Sequence, residues 1–165
     1  MTHAQHSLFG TIDPSTPGYF EATSSFEGHD ITLDLTIEGT ELPLEELEAV
    51  LARVDDLASL DKHARGAIRR ESKAGEDTGA GQYVRHHIDE LPPEALRTLF
   101  GTEDRSRIKP QDLLAKLFIV RVGIDADTPD AQVLIDYSLG REITSYVLCV
   151  SFDDAGKPCA VDFES

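Results

Sequence analysis

The hydrophobic period changes twice along this chain, and no other feature of the sequence constrains the fold as strongly. Residues 29–38 alternate apolar and polar side chains, which is typical of a strand with one buried face. Beyond Pro43 the apolar residues recur every three or four positions, which predicts an amphipathic helix to about residue 60. From residue 117 the chain returns to short runs of branched and aromatic residues, which favour strands.

This order of strands, helices and strands predicts an α+β fold. We expect a largely antiparallel β-sheet made of N-terminal and C-terminal strands, with a helical layer inserted between them. A chain of 165 residues is most simply a single domain, 1–165. Its predicted parts are strands within about 7–38, helices within about 43–116 and strands within about 117–163.

The finer predictions follow from local pattern. The expected strands are 7–12, 18–27, 29–38, 117–125, 132–139, 144–152 and 158–163. The expected helices are 43–60, 61–73, 82–90, 93–100 and 110–116, and the glycine-rich residues 74–81 are expected to form a loop. Pro158 opens the last strand and lacks a backbone donor, so that strand should lie at an edge. Residues expected in the core include Ile31, Leu33, Leu35, Ile37, Leu47, Leu51, Val54, Val120, Val122, Ile135, Leu148, Val150 and Phe152.

Charge is segregated along the sequence, and its total is −16. Residues 1–61 carry 13 acids and one base, residues 62–121 carry a small excess of bases, and residues 122–165 are acidic again. Such a field repels nucleic acid, because phosphate binding needs Lys and Arg. It favours a basic partner. If both strand groups join one sheet, the acidic segments lie together on the sheet layer.

Familiar catalytic and metal-binding patterns give little support for an enzyme. His86 and Glu90 have helical i, i+4 spacing, but two ligands do not make a zinc site. The loop at 75–81 carries Glu76 and Asp77 and lacks the Lys-Ser/Thr of a phosphate-binding loop. We therefore expect no catalytic residues, no metal site and no cofactor. A hydrolase or transferase that uses dispersed Asp and Glu stays open as the alternative.

Two cysteines, Cys149 and Cys159, are too few for a disulfide framework and have no metal-ligand spacing. Free packed thiols are the simpler expectation in a reducing compartment. The N-terminal residues lack the basic and apolar regions of a secretory signal, and the apolar runs are too short to span a bilayer. These observations predict a cytoplasmic location and no association with membranes.

The C-terminal third carries a more specific pattern. It contains Asp136-Tyr137-Ser138, Arg141-Glu142-Ile143-Thr144, a strand that closes on Phe152-Asp153, Gly156-Lys157, and a terminal Glu164-Ser165. This pattern resembles a bacterial family of uncharacterised proteins, domain of unknown function two thousand and four. The resemblance covers residues 131–165 and implies no activity or catalytic residue. Cys149 and the Pro158-Cys159 pair depart from the family pattern.

The sequence therefore favours an acidic cytoplasmic protein-binding module, most concretely an immunity protein that inhibits a basic bacterial toxin. Small acidic α+β proteins of this kind often look like immunity proteins, which is an analogy of fold and charge. The residues expected to contact the partner are Asp34, Glu38, Asp136, Asp153, Asp154 and Glu164. A structural or regulatory protein whose acidity serves only solubility is the other alternative, and the oligomeric state stays open.

Overall fold

The computed structural model describes residues 2–39 and 41–165. The strands are Ala4–His6 (β1), Gly10–Ile12 (β2), Gly18–Phe26 (β3), His29–Ile37 (β4), Phe118–Asp125 (β5), Val133–Ser138 (β6), Val147–Phe152 (β7) and Pro158–Glu164 (β8). The α-helices are Leu44–Asp55 (α1), Leu57–Ala74 (α2), Gly79–Glu90 (α3), Pro93–Phe100 (α4) and Pro110–Leu114 (α5). Single 3₁₀ turns lie at Arg105–Arg107 and Pro129–Ala131.

Six strands form one sheet in the order β3-β4-β5-β6-β7-β8. Every neighbouring pair is antiparallel except β4 and β5, which are parallel. All five helices lie between these two strands in sequence, and such a long crossover allows the chain to re-enter the sheet in the same direction. The predicted α+β fold, with a largely antiparallel sheet and inserted helices, is confirmed. Pro158 begins the edge strand β8, as predicted.

One face of this sheet and the helices enclose a hydrophobic core. The alternation in β4 buries Ile31, Leu33, Leu35 and Ile37, and α1 contributes a buried stripe of the expected helical spacing. On β6, Tyr137 points to the helices, where its hydroxyl donates to Asp61 Oδ1 at 2.6 Å. The helices therefore cover the face that carries Tyr137, and the alternate residues of each strand form the opposite, outward face.

The N-terminal residues differ from the prediction of one strand at 7–12. They form a hairpin of β1 and β2, a two-stranded sheet separate from the main one. The chain reverses because Nδ1 of His6 accepts hydrogen bonds from the backbone N–H groups of Leu8 and Phe9, at 3.2 and 3.4 Å. Nε2 of the same ring lies 2.7 Å from Asp55 Oδ1 and ties the hairpin to α1.

Helix boundaries also differ in two places. The helix expected to reach residue 60 ends at Asp55, because Asp56 leaves the helical region with φ −96° and ψ 60°. Residues 79–81, expected in a loop, form the first turn of α3, capped by the Thr78 side chain. A β-carbon at Gly79 would collide with the carbonyl oxygen of Val161, so this glycine permits close packing of α3 on β8.

A β-bulge in β5 corrects one core prediction and orients one important side chain. The register with β6 shifts between Ile119 and Arg121, so Val120 is only half-buried instead of joining the core. Ile119 and Val122 both point to the helices on either side of the bulge. Arg121 consequently points to the outward face.

Candidate functional site

The outward face of the six-stranded sheet carries all the acids that its strands contain. They are Glu21, Asp30, Asp34, Asp125, Asp136, Asp162 and Glu164. Each alternates with core residues, which sets its direction. Arg121 is the one Lys or Arg in these six strands. The face is therefore strongly acidic, as the charge segregation in the sequence predicts if both strand groups share one sheet.

Cross-strand register places several of these residues side by side. Glu21 pairs with Asp34, and Arg121 pairs with Asp136. Asp136 in turn pairs with Cys149 on β7, which pairs with Asp162 on β8. Side chains in such positions lie close enough to interact. Residues far apart in sequence thus form two adjacent rows across the sheet, because Asp34 pairs with Gly123 and Arg121 pairs with Thr32.

Arg121 neutralises one of these acids, Asp34. Its Nε and Nη2 donate to the two carboxylate oxygens of Asp34, at 2.7 and 2.9 Å. Its Nη1 makes a longer contact of 3.4 Å with Asp136 Oδ2. The hydrogen bonds that Arg121 donates to Asp34 are the largest reason that the pKa of Arg121 is raised. Gly123 leaves room for this arrangement, since a β-carbon there would lie 2.7 Å from Arg121 Nη2.

Beyond Arg121 lies a group of three potential anions. Asp136, Cys149 and Glu164 each offer one ligand atom, and these atoms lie within 4.8 Å of one another. Asp136 Oδ1 is buried and has no hydrogen-bonding partner among the described residues. We refer to Asp136, Cys149 and Glu164 as the thiol–carboxylate cluster. In the part of the chain that the structure describes, it is the one group of three or more such residues whose ligand atoms converge.

Burial and neighbouring acids both disfavour ionisation in the cluster. Burial raises the pKa of the Cys149 thiol, and the negative charge of Asp136 raises it further. Burial also raises the pKa of Glu164, with added repulsion from Asp136 and Asp162. Both shifts run against ionisation. The cluster is therefore a place where protons or another cation are favoured.

The six residues predicted to contact a partner lie in two places. Asp34, Asp136 and Glu164 lie on the outward face, although Asp34 is buried and held by Arg121. The other three lie near the ends of strands, in loops that we call the loop end: Glu38, Asp153 and Asp154.

At the loop end, backbone contacts join three loops. The N–H of Glu38 donates to Asp127 Oδ1 at 3.1 Å, and the N–H of Asp154 donates to Pro129 O at 2.8 Å. Asp153 Oδ1 accepts from two backbone N–H groups of its own turn, those of Ala155 and Lys157. Asp153 therefore shapes the β7–β8 turn. A cavity of about 130 Å³ nearby is lined by Asp154 and further acids.

The histidines of α3 serve packing. The His86 ring packs edge-on against Tyr146 and Phe163. His87 is 1% exposed, and its Nδ1 donates to Tyr83 O at 2.8 Å. Its Nε2 consequently accepts from the Thr144 hydroxyl at 3.0 Å. Burial lowers the pKa of His87, which keeps the ring neutral.

A buried network under the sheet escaped the sequence analysis. Asp61 Oδ1 accepts from the Tyr137 hydroxyl and from Arg65 Nε, at 2.6 and 3.0 Å. Arg65 Nη2 also donates to Leu117 O, and the guanidinium lies 5.1 Å from the centre of the Tyr137 ring. The i, i+4 spacing of Asp61 and Arg65 was the available signal. Arg65 is thus committed to the fold instead of forming part of a free basic surface.

The cysteines behave as separate thiols. Both are free, with Cys149 buried on β7 and Cys159 exposed on β8. Cys159 Sγ donates to Asp130 O at 3.1 Å. Both thiols are free, but of the two expected packed thiols only Cys149 is buried, whereas Cys159 is exposed.

The Asp136-Tyr137-Ser138 sequence now has a structural explanation. Asp136 belongs to the cluster, Tyr137 joins the buried network, and Ser138 Oγ accepts a hydrogen bond from the N–H of Gly140 at 2.9 Å, which shapes the following turn.

Comparison with protein-family models, curated proteins and solved structures finds no match for this chain. Membership of the uncharacterised bacterial family therefore stays a prediction. Among the described helices, none is both long and apolar enough to cross a bilayer.

Proposed function

We propose that this protein binds a basic protein partner through the acidic outward face of its sheet. One observation carries the proposal: seven acids and a single base occupy the six strands, and all eight side chains share one face. A face of one sign raises the rate at which a partner of the opposite sign associates and also orients its approach.

The exposed acids are those that a partner reaches first. Four acids of the face are exposed, Glu21, Asp30, Asp162 and Glu164, whereas Asp34 is 7% exposed and already paired. We therefore assign direct contacts to these four. Asp34 and Asp136, which are less exposed, add to the negative electrostatic potential of the face.

An immunity protein that blocks a basic bacterial toxin is the most concrete form of this function. Such an inhibitor needs a complementary surface and no catalytic groups. The net charge of −16 suits a cationic toxin, since charge complementarity speeds capture. The loop end, with Glu38, Asp153 and Asp154, offers a competing position for the same partner.

The test begins with the full chain as bait in an extract of its native cell, and continues with the purified partner. Affinity is then measured as a function of salt for three variants. The first is Glu21→Lys/Asp162→Lys/Glu164→Lys on the outward face, and the second is Glu38→Lys/Asp154→Lys at the loop end. Glu48→Lys, an exposed change on α1, is the control.

The outward-face variant should weaken binding at least tenfold, the loop-end variant should weaken it less, and the control should change it little. Salt should weaken the native complex because it screens exposed charges. Recovery of no basic partner at any salt, or a complex unaffected by the outward-face variant, would refute the proposal. A larger loss in the loop-end variant would move the docking position there.

A further inference from the structure

We propose that the thiol–carboxylate cluster of Asp136, Cys149 and Glu164 binds a thiophilic divalent cation of the Zn²⁺ class. Each ligand comes from a different strand, β6, β7 and β8, and the three ligand atoms lie within 4.8 Å of one another. The spacing in sequence, 13 and 15 residues, matches no metal motif, so only the sheet register brings the ligands together. This site shares Glu164 with the proposed partner surface, but its test needs no partner protein.

A buried carboxylate oxygen that lacks a strong donor supports a cation site at the cluster. Asp136 Oδ1 is buried and accepts no hydrogen bond of standard geometry from a described residue; apart from Arg121, the donor beside this carboxylate is the weak Cys149 thiol. Buried acceptors are nearly always partnered, so such an atom needs an explanation. Arg121 does not supply one, because its two shortest contacts go to Asp34 and its longer one goes to the other oxygen of Asp136. Cys149, 4% exposed, completes the buried side of the cluster.

The donor set selects the class of cation. A thiolate with carboxylates suits Zn²⁺, which accepts sulfur and oxygen ligands, whereas Mg²⁺ and Ca²⁺ require about six oxygen ligands. Ligand atoms around a tetrahedral zinc ion lie about 3.5 Å apart. Glu164 is exposed, so its side chain can rotate toward the other two ligands. Water supplies the fourth ligand.

The surroundings support binding in two further ways. Arg121 Nη1 donates to Oδ2 of Asp136 at 3.4 Å, which orients the carboxylate and leaves Oδ1 without a bond from Arg121. Exposed Glu164 provides the entry path from solvent.

The experiment is a titration of the reduced full chain with Co²⁺, followed by displacement with Zn²⁺. Thiolate coordination gives Co²⁺ a near-ultraviolet charge-transfer band, which carboxylates and imidazoles alone do not give. We expect one ion per chain, a band that Zn²⁺ abolishes, and no band in Cys149→Ser. Asp136→Asn and Glu164→Gln should each bind at least tenfold more weakly.

Two variants serve as matched controls. Cys159→Ser removes the exposed thiol outside the cluster, and His3→Ala removes an exposed imidazole near Asp13. Both should retain the band and the affinity. Absence of the band in the native chain, or its loss in Cys159→Ser with retention in Cys149→Ser, would overturn the proposal. If Cys149→Ser fails to fold by circular dichroism, Glu164→Gln decides, and an unchanged affinity in that variant rejects the site.

Discussion

Two halves of the outward face are both rich in acids but differ in how closely those acids are paired with a cation. In the half formed by β4 and β5, Arg121 donates to both oxygens of Asp34, so a nearly buried carboxylate is fully paired. In the half formed by β6, β7 and β8, the thiol–carboxylate cluster has only the longer 3.4 Å contact from the same guanidinium. One cation on a sheet thus stabilises one carboxylate and leaves its neighbours available to an external cation.

Removal of Arg121 should produce the largest effect. Arg121→Met leaves the Asp34 carboxylate at 7% exposure without its partner, which is costly for a buried charge. Because Arg121 itself is 39% exposed, we expect a loss of about 2–3 kcal/mol in the free energy of unfolding, less than for a fully buried pair. Urea denaturation measures it. Lys116→Met, an exposed change nearby in sequence, should alter stability by less than about 0.5 kcal/mol. Equal losses in the two variants would contradict the assignment.

Thiol labelling should separate the cluster from the sheet edge. Cys149 is buried and its thiol pKa is raised mainly by burial, so it should react with a disulfide reagent at least about tenfold more slowly than exposed Cys159 in the native protein. Cys159→Ser should remove the fast phase and Cys149→Ser the slow phase. Two phases of equal rate in the folded chain would show that the cluster is open to solvent.

Neutralising an acid in the cluster should raise the stability of the folded protein, whereas removal of Arg121 should lower it. Because the pKa of Glu164 is raised by burial and by neighbouring acids, its ionised form disfavours the folded state. Stability is therefore lost as pH rises from about 4.3, the ordinary pKa of Glu, through the higher folded value. Glu164→Gln should remove this loss and stabilise the protein at neutral pH by about 0.5 kcal/mol or less, because solvent screens an exposed group. If Glu164→Gln destabilised the protein more than the exposed control Glu48→Gln does, the predicted sign would be wrong.

The sequence predicted the fold well where local pattern is sufficient. Period-two alternation located β4, and the helical spacing after Pro43 located α1. The order of elements then predicted the layers. The N-terminal hairpin was missed because its turn is held by hydrogen bonds from the backbone N–H groups of Leu8 and Phe9 to the His6 ring. Such bonds leave no trace in the hydrophobic period of the sequence.

The candidate site was predicted less well, for a reason of register. Asp136 and Glu164 were singled out for charge alone, and Cys149 was taken as a packed thiol. Their convergence requires the pairing of three strands, and the turn of Arg121 toward Asp34 requires the bulge at Val120. A shift of one residue would send each side chain to the other face. Composition carries no information about such a shift.

The electrostatic repulsion between the acids of the cluster is tested most directly by a carboxyl-carbon NMR titration of Glu164. The titration compares the native protein with Asp136→Asn, without metal ions. We expect the pKa of Glu164 to lie above the ordinary value of about 4.3 in the native protein and to fall toward it in the variant, because one neighbouring negative charge is removed. A native pKa at or below that value, unchanged in Asp136→Asn, would contradict the account.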